Sequence, residues 1–123
     1  MTKIIFIIST LQTFPFGLSA VLFPRTLFSQ FGIALDPAGE LIAQGYGATL
    51  IGFGLVLWGF RNTQDGTVQL WLLTGLAAFN AIEATIQLMG GVAGIAGPII
   101  FGSVGVHAAM SIVCLAALLR GRA

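Results

Sequence analysis

Leu41-Ile42-Ala43-Gln44-Gly45-Tyr46-Gly47-Ala48-Thr49-Leu50-Ile51-Gly52-Phe53-Gly54-Leu55-Val56-Leu57-Trp58-Gly59-Phe60 is a run of twenty residues without a charge, closed by Arg61. At ~1.5 Å per residue such a helix is ~30 Å long, the thickness of a bilayer's hydrocarbon core. The run is too long for a strand and does not alternate. It reads as a membrane-spanning helix, and three more runs of similar length surround it: Ile4 to Phe23, Val68 to Met89 and Pro98 to Leu119.

Composition agrees with four spans. Hydrophobic residues make up 57% of the 123 residues and charged ones 7%, against about a quarter charged in a soluble domain. A water-soluble fold of this size cannot hide so much apolar surface, so lipid must solvate part of it. The expected fold is an all-α, four-transmembrane-helix bundle forming a single domain over residues 1–123. A net charge of +1 gives no reason to expect nucleic acid as a partner. The one cysteine, Cys114, cannot form an intrachain disulfide, and no Cys/His cluster suggests zinc.

The connections sharpen the ends. Asp36-Pro37-Ala38-Gly39-Glu40 has the form of a helix start, with Asp36 as N-cap, Pro37 in the first helical position and Glu40 near the positive end of the dipole. Residues Pro24 to Gln30 mix Phe and Leu with Arg25, Ser29 and Gln30, and read as a short interfacial segment between the first two spans. Arg61 to Thr67 is a short polar turn, which makes the second and third spans antiparallel neighbours. Gly90 to Gly97 holds four glycines and no charge, and reads as a shallow, flexible loop. Lys3 before an apolar stretch resembles a signal peptide, but the stretch runs on through Phe23 and reads as a retained first span.

Basic residues set the orientation. Lys3, Arg61, Arg120 and Arg122 fall on one side and Arg25 on the other, which puts both termini in the cytoplasm. Trp58 and Trp71 each sit three residues inside the inner end of a span, where an aromatic belt belongs.

At 100° per residue the second span carries two glycine seams. Gly45, Gly52 and Gly59, with Ala48, share one face; Gly47 and Gly54 lie nearly opposite. Small residues let helices approach closely in lipid, so the expectation is a central helix with neighbours on both sides. The competing reading is that membrane helices are simply rich in glycine. The first span carries Ser9, Gln12 and Ser19 on one face, and Pro15 is expected to bend it. In the fourth span, Gly102, Gly105, Ala109 and Ala116 share a face, and Ser103, His107, Met110 and Cys114 lie about 160° away. Only one of these faces can form the centre of the bundle, and close packing favours the small one.

The third span bears a polar stripe, Asn80, Glu83 and Gln87. Counting inward from Met89, Glu83 lies roughly 9 Å below the outer boundary; His107 lies roughly 14 Å below the same boundary, and Asn80 at a similar depth. A charge at the depth of Glu83 costs ~2 kcal/mol or more, so the side chain should be protonated, paired or watered. Four uses of these residues compete. The first is interhelical hydrogen-bonding glue by Asn80, Glu83, Gln87 and His107. The second is acid/base work on a lipid-soluble substrate by Glu83 and His107, and the third is holding the polar head of a lipid, quinone or isoprenoid. The fourth, and weakest, is a haem- or chlorophyll-type macrocycle on His107, with Ser103 four residues before it leaving room over a ring. Glue ranks first. No phosphate loop, metal-ligand set or catalytic triad spacing is present in the sequence, so no catalytic residue or metal ligand is assigned. A single copy offers too few walls for a channel.

The pattern Phe-Gly-Ile-Ala-Leu-Asp-Pro-Ala-Gly-Glu-Leu-Ile-Ala-Gln-Gly-Tyr-Gly-Ala from Phe31 to Ala48, the Gly-rich span ending in Trp58 and Arg61, Asn80 and His107 together resemble the DoxX-like and related uncharacterised small four-helix bacterial membrane proteins. Gln44 stands where relatives often carry Arg in an Ala-Arg-x-x-Gly pattern, so any role of that Arg is not carried over. The resemblance implies a four-helix fold and a bacterial cytoplasmic membrane. It implies no catalytic residues.

With almost nothing outside the membrane, the expected function is that of a non-enzymatic accessory or assembly subunit. Its partners would be lipids and other membrane subunits or further copies of itself. The alternatives are a binder or enzyme for a hydrophobic small molecule using Glu83, His107 and Asn80, and a small proton-coupled transporter working as an oligomer.

Overall fold

The computed structural model describes residues Met1 to Gly121; Arg122, counted above in the charge bias, lies outside the described residues. Among those described there are five helices and no strand: α1 (Thr2–Leu22), α2 (Pro24–Ser29), α3 (Pro37–Phe60), α4 (Gly66–Val92) and α5 (Ile100–Arg120). Four of them, α1, α3, α4 and α5, are long and apolar enough to cross a membrane, with 21, 24, 27 and 21 residues.

Local chemistry sets most of the ends. Asp36 caps α3 by accepting from the Gly39 backbone N–H at 2.7 Å, with Pro37 in the first turn. Asp65 caps α4, accepting from the N–H groups of Thr67 and Val68 at 2.8 and 3.1 Å. Each carboxylate satisfies donors that the first helical turn leaves open, and its charge faces the positive end of the dipole. Residues Pro24–Ser29 form the six-residue helix α2, tied to the first turn of α3 by a fork of two contacts. The Arg25 Nε and Nη2 atoms each lie 2.7 Å from a Glu40 carboxylate oxygen. This hydrogen-bonded pairing raises the Arg25 pKa further above its ordinary value. At the other end of α3, Arg61 donates to the Trp58 carbonyl at 2.6 Å and stacks 3.9 Å from the centre of that ring.

One boundary departs from the sequence expectation. Gly90 and Gly91 are not loop: α4 continues through Val92. Gly91 serves a close approach here, since a Cβ on it would lie 2.8 Å from atoms of Ile100 and Phe101. The chain turns instead at Gly94, whose φ of 71° is left-handed and costs glycine little.

The chain divides into two compact units, Phe6–Arg61 and Met1–Ile5 with Asn62 onward. In the first, α1 crosses α3 at a contact of backbone on backbone. A Cβ on Gly47 would sit 2.6 Å from the Gly17 carbonyl oxygen, and one on Gly17 would sit 2.7 Å from that of Gly47. Farther along, Thr10 donates to the Gly54 carbonyl at 3.3 Å, and Gln44 donates to the Val21 carbonyl at 3.2 Å. The buried positions of α3 are Ala43, Gly47, Leu50, Gly54 and Leu57, alternating four and three residues apart. In the second unit α4 packs along α5, and this pair carries the candidate site.

Candidate functional site

The polar stripe of α4 and the histidine face of α5 meet. Asn80 is 1% exposed and its amide nitrogen donates to the Leu76 carbonyl at 2.8 Å, while its Oδ1 lies 2.8 Å from His107 Nδ1. The Leu76 carbonyl can only accept, which orients the amide and leaves an acceptor toward the histidine. Nδ1 therefore carries a hydrogen. The edge of the ring system is set by Phe79, 6.0 Å away between centroids and inclined at 76°. One turn along α5, the buried Ser111 donates to the Ala77 carbonyl of α4 at 3.0 Å.

Glu83 and Gln87 continue the stripe. Gln87 Nε2 donates to Glu83 Oε2 at 3.0 Å. Gln87 Oε1 is inaccessible and has no hydrogen-bond partner. Among the described residues no three His, Cys, Asp or Glu side chains come together as a metal set. The four polar residues singled out by sequence thus lie along the α4–α5 pair in two hydrogen-bonded pairs. The Asn80–His107 pair ties α4 to α5, while the Gln87–Glu83 pair lies within α4; in both, a donor meets an acceptor that lipid cannot supply.

The packing residues divide by face. Gly47 and Gly54 are buried at the α1 contact. Gly45, Gly52 and Gly59 would meet no atom within 4 Å if given a Cβ, and the same holds for Gly102 and Gly105. Ala109 is exposed beside them. For α5 this reverses the expectation from close packing that Gly102, Gly105 and Ala109 point inward. The buried residues of α5 are Ile100, His107, Ser111, Cys114 and Ala117. Placing an imidazole and a hydroxyl in lipid costs more than a close helix approach gains, so the polar face wins.

Four contributors were not read from sequence. Thr10, Thr13 and Gly17, followed by the buried Ala20, repeat at three and four residues along α1, and this small-residue spacing was the available signal. Ser111 was signalled only by its place four residues after His107. Of the residues expected to share a face on α1, Ser9 is buried with an unpartnered hydroxyl, and Gln12 and Ser19 are half-buried.

Helices of this length and apolarity define an integral membrane protein, all-α among the described residues. The chain matches no protein-family model, no curated protein and no solved structure.

Proposed function

We propose that this chain is a non-enzymatic helix-packing subunit of a larger membrane assembly, sitting in a bacterial cytoplasmic membrane with both termini in the cytoplasm. The observation that supports it is the division of its faces. Polar side chains such as Asn80 and His107 are engaged in internal ties, while a Cβ on Gly45, Gly52 or Gly59 of α3, or on Gly102 or Gly105 of α5, would meet no atom within 4 Å among the described residues. Glycine in a helix interior costs ~1 kcal/mol relative to alanine, a cost that a close-packed neighbour offsets. Two open small-residue faces therefore suit association with other membrane helices, supplied by further copies or by different subunits. The DoxX-like resemblance fits this reading through its four-helix layout.

A second reading has one observation in its favour. The buried, unpartnered Gln87 Oε1 beside Glu83 is an acceptor that the hydroxyl of a lipid, a quinol or an isoprenoid alcohol would satisfy once neighbouring side chains move aside to admit it. A macrocycle on His107 finds less support, because the side chain is buried, 9% exposed, in the α4–α5 contact.

Mild detergent extraction followed by mass measurement distinguishes the readings. A subunit leaves the membrane with stoichiometric protein partners or as a multimer. A single chain carrying only lipid or quinone would abandon the subunit reading in favour of the binder.

A further inference from the structure

We infer that the tip joining α4 to α5 is an interfacial lipid-binding wedge, seated among headgroups and upper acyl chains instead of in water. Its side chains are the first reason. Met89, Val92, Ile95 and Ile99 are 66, 75, 69 and 62% exposed, and no Asp, Glu, Lys or Arg stands between Glu83 and Arg120. Apolar side chains presented together at a chain reversal are unfavourable in water.

The backbone gives an independent reason. Ala93 donates to the Met89 carbonyl, Gly94 to Gly91, and both Ile95 and Ala96 to Gly90. Ile100, Phe101 and Gly102 then donate to the carbonyls of Gly97, Pro98 and Ile99. Pro98 has no N–H to satisfy. Seven of the ten residues from Ala93 to Gly102 thus place their N–H on a carbonyl within the tip, as a segment must where water is scarce. Two other long helices start differently: α3 and α4 begin on aspartate caps, whereas α5 begins with no side-chain cap at all.

Length agrees with both. From Trp71, placed at an interface, to Val92 is roughly 31 Å of helix, about the full hydrocarbon thickness. The turn at Gly94 then falls at the opposite acyl–headgroup boundary, where Ile95 and Ile99 enter the acyl region.

The occupant is phospholipid, and this does not depend on the subunit reading. The test places a bimane fluorophore on Ile95→Cys, and separately on Val92→Cys, in a Cys114→Ala background, with Asn62→Cys as the polar-turn control. The proteins are reconstituted in vesicles containing phospholipid brominated near the top of the acyl chain. Loss of emission with brominated lipid at either tip position, with weak quenching by aqueous iodide, is the expected result; the control should respond to iodide alone. Tip positions quenched by iodide and untouched by brominated lipid overturn the inference, because water then covers the wedge. Protection from both quenchers overturns it too, because protein then takes the place of lipid.

Discussion

Asn80 and His107 show how a polar residue is used in a medium that offers no hydrogen bonds. Their 2.8 Å contact joins an amide oxygen to a ring N–H, and the amide's own N–H is spent on the Leu76 carbonyl of its helix. Interhelical hydrogen bonds in membranes contribute only ~0.6 kcal/mol on average, but stranding a buried partner costs ~1–3 kcal/mol. Replacing Asn80→Leu or His107→Leu alone should therefore destabilise by about that larger amount. The double replacement should cost clearly less than the two together, read from unfolding midpoints in detergent. Strictly additive losses would mean the two side chains are not coupled. Both residues were legible in the sequence as polar groups at similar depth. Their pairing was not, because depth is set by counting along a helix while contact depends on the rotation of each helix. That rotation is decided by whole faces: burying His107, Ser111 and Cys114 together outweighed the close approach offered by Gly102 and Gly105.

Among the helices, α3 carries the sharpest contrast. Its two glycine seams have the same seven-residue spacing, yet Gly47 has a carbonyl 2.6 Å from where a Cβ would stand and Gly52 has nothing within 4 Å. A leucine at Gly47 must push backbones apart, so Gly47→Leu should abolish or strongly reduce recovery of folded protein. Gly52→Leu should fold at least as well as the parent, since removing an open helical glycine gains up to ~1 kcal/mol of propensity. It should nevertheless lose association in size-exclusion measurements. Equal behaviour of the two variants would contradict the division of α3 into a closed and an open face. Sequence located both seams but not which one is closed, because the partner glycine, Gly17, lies on a helix whose small residues are spread among Phe and Leu. It did read the start of α3 well, since Asp36 and Pro37 act locally. The end of α4 was misjudged, because Gly91 serves a contact with Ile100 and Phe101 that no local signal announces.

As a whole molecule, this chain holds four charged-residue-poor helices and very little else. Its water-facing chemistry is confined to short pieces such as the Arg25–Glu40 fork and the Asp65 turn. Composition made the four spans legible, since 57% hydrophobic and 7% charged residues leave few other fates. Function was less legible because recognition in lipid relies on small residues and shape, which look alike whether a face is used or idle. The direct measurement is oxidative crosslinking in native membranes from single cysteines at Gly52, at Ala109 and at the inward-leaning Met110, each in a Cys114→Ala background. The subunit reading expects an intermolecular adduct from Gly52→Cys or Ala109→Cys and none from Met110→Cys; adducts from neither open face would contradict it.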